Sequence, residues 1–241
     1  RGADPGMNRP PIPLEDRIIF ALDLADPAAA LALVDRLCER IRFFKVGLQL
    51  FFAGGWPVVD HIVGRGCQVM LDLKLHDIPA TVRLAVRQFA GRGITFATVH
   101  GYPPVVEAAL AADTGVGILA VTVLTSLGPG QAAELGCTLP VADLVLQRAE
   151  GALRLGCRGV VCSAGEAQLL RSRLGQDFAM VTPGIRPAGS DPGDQQRIAT
   201  PGRAIADGAD YLVIGRPIRD AADPAAQIAA IQKEIAAALD R

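Results

Sequence analysis

The chain has 241 residues, of which half are hydrophobic and one fifth are charged, and its formal net charge is −1. This size and balance are typical of one α/β domain with a large core, although two small domains would also fit. Basic and acidic residues are interspersed, and no apolar run approaches the roughly 18 residues of a membrane span, so we expect neither nucleic acid nor a membrane as partner.

Short apolar runs alternate with longer helical patterns along the chain. The runs are bounded by Gly, Asp or Pro, as parallel strands buried on both faces are. Apolar residues recur at helical spacing between them, for example over residues 27–39, 80–90, 139–155 and 224–239. Eight such units predict a single (β/α)8 TIM barrel rather than an open sheet, which usually has fewer strands. The predicted strands are 18–22, 43–46, 68–73, 95–99, 117–123, 159–162, 180–182 and 211–214.

No domain boundary is visible, so residues 7–241 are predicted to form one domain, and residues 1–6 an expression remnant. The longest stretch without apolar periodicity is 184–200, which is rich in Gly, Pro and Asp. A loop of this length in a compact domain is commonly a lid or a binding loop. Barrel enzymes carry the active site at the C-terminal ends of the strands, where we therefore expect it.

The five cysteines are odd in number and form no C-x-x-C pair. Together with the lack of a visible signal peptide, this favours reduced thiols in a cytoplasmic protein. The three histidines are far apart in the sequence and lack the spacing of metal ligands. We therefore expect no metal site.

Charged residues occur where a barrel core should contain none. Side chains alternate along a strand, so Asp72 and Lys74 should point to one side, and Leu71, Leu73 and Leu75 to the helices. Burying one charge alone would be costly, whereas a pair is tolerated. The spacing predicts a carboxylate and an ammonium inside the top of the barrel. The alternative is a structural ion pair at the rim.

Three further charges lie at or near strand ends. Asp23 ends the first run, and Lys45 lies among apolar neighbours that leave it no solvated face, which favours an inward role. Asp77 follows the third run directly before Ile78 and Pro79. It fits the N-cap of the next helix as well as it fits catalysis.

Phosphate-binding groups are predicted after the last two strands. Gly215 allows close backbone approach after strand 8, and Arg216 offers a planar fork for phosphate oxygens. The loop after strand 7 adds Arg186 and Gln195. A Gly-Arg pair is a weak signal alone, and its position in the eighth unit strengthens it.

Six short segments are the most specific part of the sequence. They are Ala21-Leu-Asp23, Lys45-Val-Gly47, Asp72-Leu-Lys-Leu-His-Asp-Ile-Pro79, Val121-Thr-Val-Leu-Thr-Ser126, Val181-Thr-Pro-Gly-Ile-Arg-Pro187 and Ile214-Gly-Arg216. In order and spacing they resemble the orotidine 5′-phosphate decarboxylase family in its bacterial form, over nearly the whole chain. The resemblance implies a homodimeric barrel without metal or organic cofactor. Its implied reaction converts orotidine 5′-monophosphate to uridine 5′-monophosphate and CO₂, the last step of de novo pyrimidine nucleotide synthesis.

The same resemblance implies roles for particular residues, most of them in these segments. Lys45, Asp72 and Lys74 would form, with Asp77 of the partner subunit, an alternating charge array around the reacting carbon. Lys74 would stabilise and protonate the ring anion. The other implied contacts are Asp23, Lys45 and Thr81 of the partner subunit to the ribose, Thr125 and Ser126 to the pyrimidine, and Arg186, Gln195, Gly215 and Arg216 to the phosphate.

Two other functions fit parts of the pattern. Sugar-phosphate decarboxylases and hexulose-phosphate synthases share Asp-x-Lys-x-x-Asp and use Mg²⁺, but the full run 72–79 and the segment 182–187 favour the nucleotide enzyme. A catalytically silent nucleotide-binding protein on this scaffold is the second alternative. The intact pair of Asp72 and Lys74 argues against it, because a pure binder gains little from a buried charge array.

Overall fold

The computed structural model describes residues 11–126, 130–131, 137–187 and 199–240. Within this part of the chain eight parallel strands pair in sequence order, and the last pairs with the first. The predicted (β/α)8 barrel is therefore confirmed, with strand ends within two residues of those expected. The strands are β1 Ile18–Ala21, β2 Phe43–Gly47, β3 Gln68–Leu75, β4 Ile94–His100, β5 Gly117–Val121, β6 Gly159–Val161, β7 Ala179–Thr182 and β8 Tyr211–Ile214.

Helices surround the barrel, and several begin where the sequence supplies a capping residue followed by proline. Asp26 accepts the N–H of Ala28 ahead of Pro27, and Asp223 accepts the N–H groups of Ala225 and Ala226 ahead of Pro224. No helix among the described residues is long and apolar enough to cross a membrane. The helices whose two ends lie within the described residues are α1 Pro27–Leu37, α2 Leu48–Gly64, α3 Pro79–Arg87, α4 Pro103–Leu110, α5 Val141–Leu155, α6 Ala164–Leu174, α7 Pro201–Ala206, α8 Arg216–Arg219 and α9 Pro224–Leu239, with a 3-10 turn at Leu14–Asp16.

Alternation along the strands divides the buried side chains into two clusters. The larger one lies between the sheet and the helices and contains Leu71, with Leu73 and Leu75 packed against it. This confirms the predicted outward direction of the three leucines. The smaller cluster fills the barrel interior and consists of Ile19, Ala21, Phe43, Met70, Phe96, Leu119, Val121, Val161, Ala179, Val181 and Val213.

The interior is apolar at one end and polar at the other. The rings of Phe43, Phe96 and Tyr211 pack together near the N-terminal ends of the strands, with centroids 5.5 to 5.7 Å apart. Lys45 follows Phe43 by two residues, and Asp72 follows Met70 by two, so both continue the inward column towards the C-terminal ends. The three aromatic rings thus fill the barrel at the N-terminal ends of the strands, and charged side chains lie at the C-terminal ends.

Candidate active site

A cavity of about 460 Å³ opens at the C-terminal ends of the strands, within the size range of small-ligand sites. Its floor is the top of the barrel interior, formed by Ala21, Met70, Val161 and Val213. The polar lining comes from three directions: Asp23, Lys45, Asp72 and Lys74 around β1 to β3, Thr125 and Ser126 after β5, and Arg186, Arg216 and Arg219 after β7 and β8. These nine residues, apart from Arg219, are among the site residues predicted from the sequence, and they meet at the expected C-terminal ends of the strands.

The charged residues on β2 and β3 form one continuous network with Asp23, which follows β1. The ammonium Nζ of Lys45 lies 2.9 Å from Oδ1 of Asp23 and 3.5 Å from Oδ2 of Asp72. The Nζ of Lys74 lies 2.8 Å from the same Oδ2 of Asp72. Lys45 and Asp72 are both 7% exposed, while a third of the Lys74 side chain remains accessible. Both lysines line the cavity, and Lys74 is the more accessible of the two.

Lys74 reaches this position through an irregularity in β3. The pairing of β3 with β4 shifts between Leu71 and Leu75, and Lys74 has a positive φ of 48°. A bulge re-aims a side chain, and a non-glycine residue in the left-handed region is strained unless its surroundings hold it. Thr98 on β4 holds it here: its hydroxyl accepts the Lys74 N–H at 3.0 Å and donates to Oδ1 of Asp72 at 2.9 Å.

The network keeps both buried groups ionised. Burial raises the pKa of Asp72, but Lys45 and Lys74 outweigh burial, and the pKa lies below its ordinary 3.8. Burial lowers the pKa of Lys45, but Asp72 and Asp23 outweigh it, and the pKa lies above its ordinary 10.5. Between these two ordinary values Asp72 and Lys45 are therefore both charged.

The arginine side of the cavity follows β7 and β8. Arg186 is buried, and its Nη1 donates to the carbonyl of Ile185 at 2.8 Å. The main chain at this point pairs with the returning end of the 184–200 loop, because the Arg186 N–H donates to the Ala199 carbonyl at 2.9 Å. Arg216 is the first residue of α8, directly after Gly215. A Cβ at Gly215 would lie 3.3 Å from the Cβ of Ala21, so glycine keeps this wall open.

Comparison with known proteins shows the family of the chain. The model of the "Orotidine 5′-phosphate decarboxylase / HUMPS family" matches residues 16–231. The chain belongs to this family. A curated relative from Afipia carboxidovorans, named orotidine 5′-phosphate decarboxylase, is 51% identical over 96% of this chain and 100% of its own length. A relative from Rhodopseudomonas palustris with the same name is 52% identical over 94% of this chain and 97% of its own.

Two solved structures share the architecture. The crystal structure of orotidine 5′-phosphate decarboxylase from Lactobacillus acidophilus is 38% identical and covers 91% of this chain and 99% of its own, with a TM-score of 0.80. An uncharacterized conserved protein from Geobacillus kaustophilus is 34% identical over 90% of this chain and 99% of its own, with a TM-score of 0.79.

Two residues that the family resemblance assigns to the partner's site lie outside this chain's cavity lining. Asp77 and Thr81 are both exposed, beside the exposed apolar side chain of Ile78. The N-cap alternative for Asp77 is wrong, because Ile78 is the N-cap of α3, and the Asp77 carboxylate accepts the Ile78 N–H at 2.7 Å. Gln195, the remaining predicted phosphate ligand, lies outside the described residues.

Sequence reasoning missed two polar residues of this family site. Thr98 is an ordinary strand threonine in the sequence, and only the distance to Asp72 reveals its part in the network. Arg219 lines the cavity three residues after Arg216. One turn of helix separates such residues, so the position of Arg216 could have drawn attention to it.

Proposed function

We propose that this protein decarboxylates orotidine 5′-monophosphate to uridine 5′-monophosphate and CO₂, as the last step of de novo pyrimidine nucleotide synthesis. Family membership and the names of relatives that are half identical over nearly the whole chain support the substrate and the reaction. The observation that carries the chemistry is the ammonium of Lys74, held at 2.8 Å by Asp72 and facing a cavity whose other side is lined by arginines.

Loss of CO₂ from the pyrimidine ring leaves an electron pair in the plane of the ring, with no adjacent group to delocalise it. A cation placed where this charge develops stabilises the transition state. In the proposed step, the bond between ring carbon C6 and the carboxylate breaks, CO₂ departs, and Lys74 gives one proton to C6. Solvent then returns a proton to the neutral amine of Lys74.

Asp72 acts mainly by holding Lys74. A bare carboxylate about 4 Å from the substrate carboxylate would raise its energy by roughly 4 kcal/mol at an effective dielectric constant of 20. Enzymes lower barriers by about 8–23 kcal/mol, so this repulsion alone is too small. In this structure the charge of Asp72 is also compensated by Lys45 and Lys74. Stabilisation of the anion therefore contributes most.

The arginine side of the cavity holds the phosphate in this proposal. Arg216 and Arg186 supply guanidinium groups, Gly215 supplies close backbone approach, and Gln195 is retained from the family pattern. Contacts to this distant, unreactive group contribute binding energy that orients the ring over Lys74. Asp23 and Lys45 bind the ribose hydroxyls between the two ends, and Thr125 and Ser126 bind the pyrimidine.

The first test is conversion of orotidine 5′-monophosphate in the presence of EDTA, followed by the ultraviolet change as uridine 5′-monophosphate forms. We expect rapid conversion that the chelator does not slow. The family description also names HUMPS, and the sequence left the Mg²⁺-dependent hexulose-phosphate synthases open as an alternative. A sugar phosphate with Mg²⁺ is therefore the matched alternative substrate. Turnover of only that substrate, lost on chelation, would replace the decarboxylase assignment.

We also propose that the enzyme is a cytoplasmic homodimer in which Asp77 and Thr81 complete the partner subunit's site. Both residues are exposed and adjoin the large apolar side chains of Ile78 and Leu84, which are 66% and 54% exposed. Burial of such side chains between two subunits is favourable. The five cysteines are all free in the described structure, which supports a reducing compartment.

Complementation tests the shared site. Asp77→Ala and Lys74→Ala are each expected to be nearly inactive as pure proteins. After mixing and subunit exchange, half of the subunits pair with the other variant, and each such heterodimer contains one site with both residues intact. We expect about a quarter of the wild-type activity per subunit pair at full exchange. A mixture that stays inactive although the subunits exchange would show that Asp77 serves its own chain.

A further inference from the structure

Arg219 lines the active-site cavity but has no part in the function proposed above. It is the last residue of α8, the short helix that begins with Arg216. Its Nη1 donates to the main-chain carbonyl of Asp23 at 2.8 Å, across a separation of 196 positions in the sequence. Its Nε and Nη2 donate to the two carboxylate oxygens of Asp220, at 2.6 and 2.9 Å. One guanidinium thus joins the ends of β8 and β1.

Asp23 lies beyond the end of β1 and makes no strand pairing in the described sheet. β1 ends at Ala21, and the Leu22 N–H makes the last bond to β2, to the carbonyl of Lys45 at 3.0 Å. The Leu24 N–H then donates to the Leu22 carbonyl at 3.0 Å, which places Asp23 at the centre of a three-residue turn. Such a residue depends on contacts from other elements for its orientation.

Two described contacts supply this orientation, one at each end of the residue. The Lys45 ammonium binds the carboxylate of Asp23, and the Arg219 guanidinium binds its carbonyl. Half of the Asp23 side chain is exposed, and the lysine contacts only its carboxylate. The arginine fixes the peptide itself.

Asp220 fixes the orientation of the Arg219 guanidinium. A carboxylate that binds both Nε and Nη2 fixes the plane of a guanidinium, because the fork matches the two oxygens. The bidentate contact also compensates the positive charge of Arg219. Nη1 is thereby directed at the Asp23 carbonyl. This geometry suits a donor to the main chain better than a phosphate ligand in addition to Arg216.

We propose that Arg219, oriented by Asp220, is a positioning residue that fixes the main chain at Asp23 and thereby places the Asp23 carboxylate for the ribose hydroxyls of the substrate. This inference rests on the proposed function, because it needs a nucleotide in the cavity. Arg219 itself touches neither the reacting carbon nor the hydroxyls.

The experiment compares two ligands that differ only in those hydroxyls, uridine 5′-monophosphate and its 2′,3′-dideoxy form. Wild type should prefer the hydroxylated ligand by at least about tenfold, as expected for a contact to a charged group. Arg219→Met should lower this preference about tenfold while changing the affinity for the dideoxy ligand less than twofold. Asp220→Asn keeps the arginine but loses its full orientation, and should lower the preference in part.

Arg203→Met is the matched control. Arg203 also pairs with a neighbouring aspartate, its Nε lying 2.6 Å from Asp207, but it is on α7 and outside the cavity lining. Its replacement should leave the preference at the wild-type value. In an Asp23→Asn background, Arg219→Met should have no further effect on the preference, because the positioned carboxylate is already lost.

An Arg219→Met protein that keeps the wild-type preference would overturn the inference. So would one that loses affinity equally for both ligands, since that is the signature of a phosphate contact or of a general structural defect. Failure of the wild type to convert orotidine 5′-monophosphate would instead overturn the proposed function, which the conversion assay measures separately.

Discussion

Replacing Lys74 by alanine is expected to lower kcat by at least about 10⁴-fold and to leave the barrel folded. The loss combines the removal of a proton donor, worth about 10²–10⁴-fold, with the removal of a cation at the developing anion, worth about 10²–10³-fold. The fold should survive because Asp72 keeps Lys45 and Thr98 as partners. Alanine also has the same Cβ as lysine at this positive φ, so the backbone strain is unchanged.

Lys233→Ala is the matched control for the Lys74 variant. The chain has three lysines, and Lys233 is an exposed one on α9, far in sequence from the array. Its loss should leave kcat within twofold of wild type. Steady-state kinetics on both variants, with circular dichroism and a thermal midpoint for each, separates chemistry from folding. A folded Lys74→Ala protein that retains more than about a hundredth of the wild-type kcat would remove Lys74 from the proton-donor role.

Lysine content carries a signal that the spacing argument did not use. Three of the 24 basic residues are lysines, and two of those three are Lys45 and Lys74. Arginine is effectively always protonated and planar, whereas the lysine ammonium is a compact charge that can release a proton. In a chain that otherwise uses arginine, the positions that keep lysine are therefore candidates for proton transfer or for tight packing of charge.

Alternation along the strands predicted the centre of the site because it is a local rule. Lys45, Asp72 and the three outward leucines follow from the two-residue repeat and from the burial of both faces of the sheet. Lys74 also points inward as predicted. The bulge that rotates its backbone, however, was invisible, since a bulge depends on how β4 pairs with β3.

Contacts between distant segments set the limit of sequence reasoning here. Thr98 meets Asp72 across 26 positions, and Arg219 meets Asp23 across 196. Each residue is ordinary in its local context, and only closure of the barrel brings β8 beside β1. Asp77 is a further case, because its proposed role needs a second chain.

Replacing Asp72 by asparagine is expected to reduce both activity and stability. Asparagine fills the same space, but it leaves Lys45 buried with Asp23 as its remaining carboxylate. It also removes the carboxylate that pairs with Lys74 within the described part of the chain. Breaking a buried ion pair on one side destabilises a protein by about 3–5 kcal/mol. Lys74 also loses the contact that aims it, so kcat should fall by at least about 10²-fold. Urea unfolding and steady-state kinetics measure the two effects.

Asp60→Asn shows what an exposed pair is worth in the same protein. The Asp60 carboxylate lies 3.3 Å from Arg92 and is 55% exposed, so its loss should cost at most about 1 kcal/mol. An Asp72→Asn protein as stable as this control would mean that water, rather than Asp72, compensates the charges of Lys45 and Lys74.

The pH dependence of the Asp72 effect has a definite sign. Burial raises the pKa of this carboxyl, but the two lysines outweigh burial and hold it below 3.8 in the folded protein. The ionised form therefore stabilises the fold above about pH 4, and this contribution is lost as the pH falls through the lowered pKa. Asparagine does not titrate, so the stability difference between wild type and variant should shrink from pH 7 to pH 3. An equal difference at both values would place the cost of the substitution in packing and not in charge.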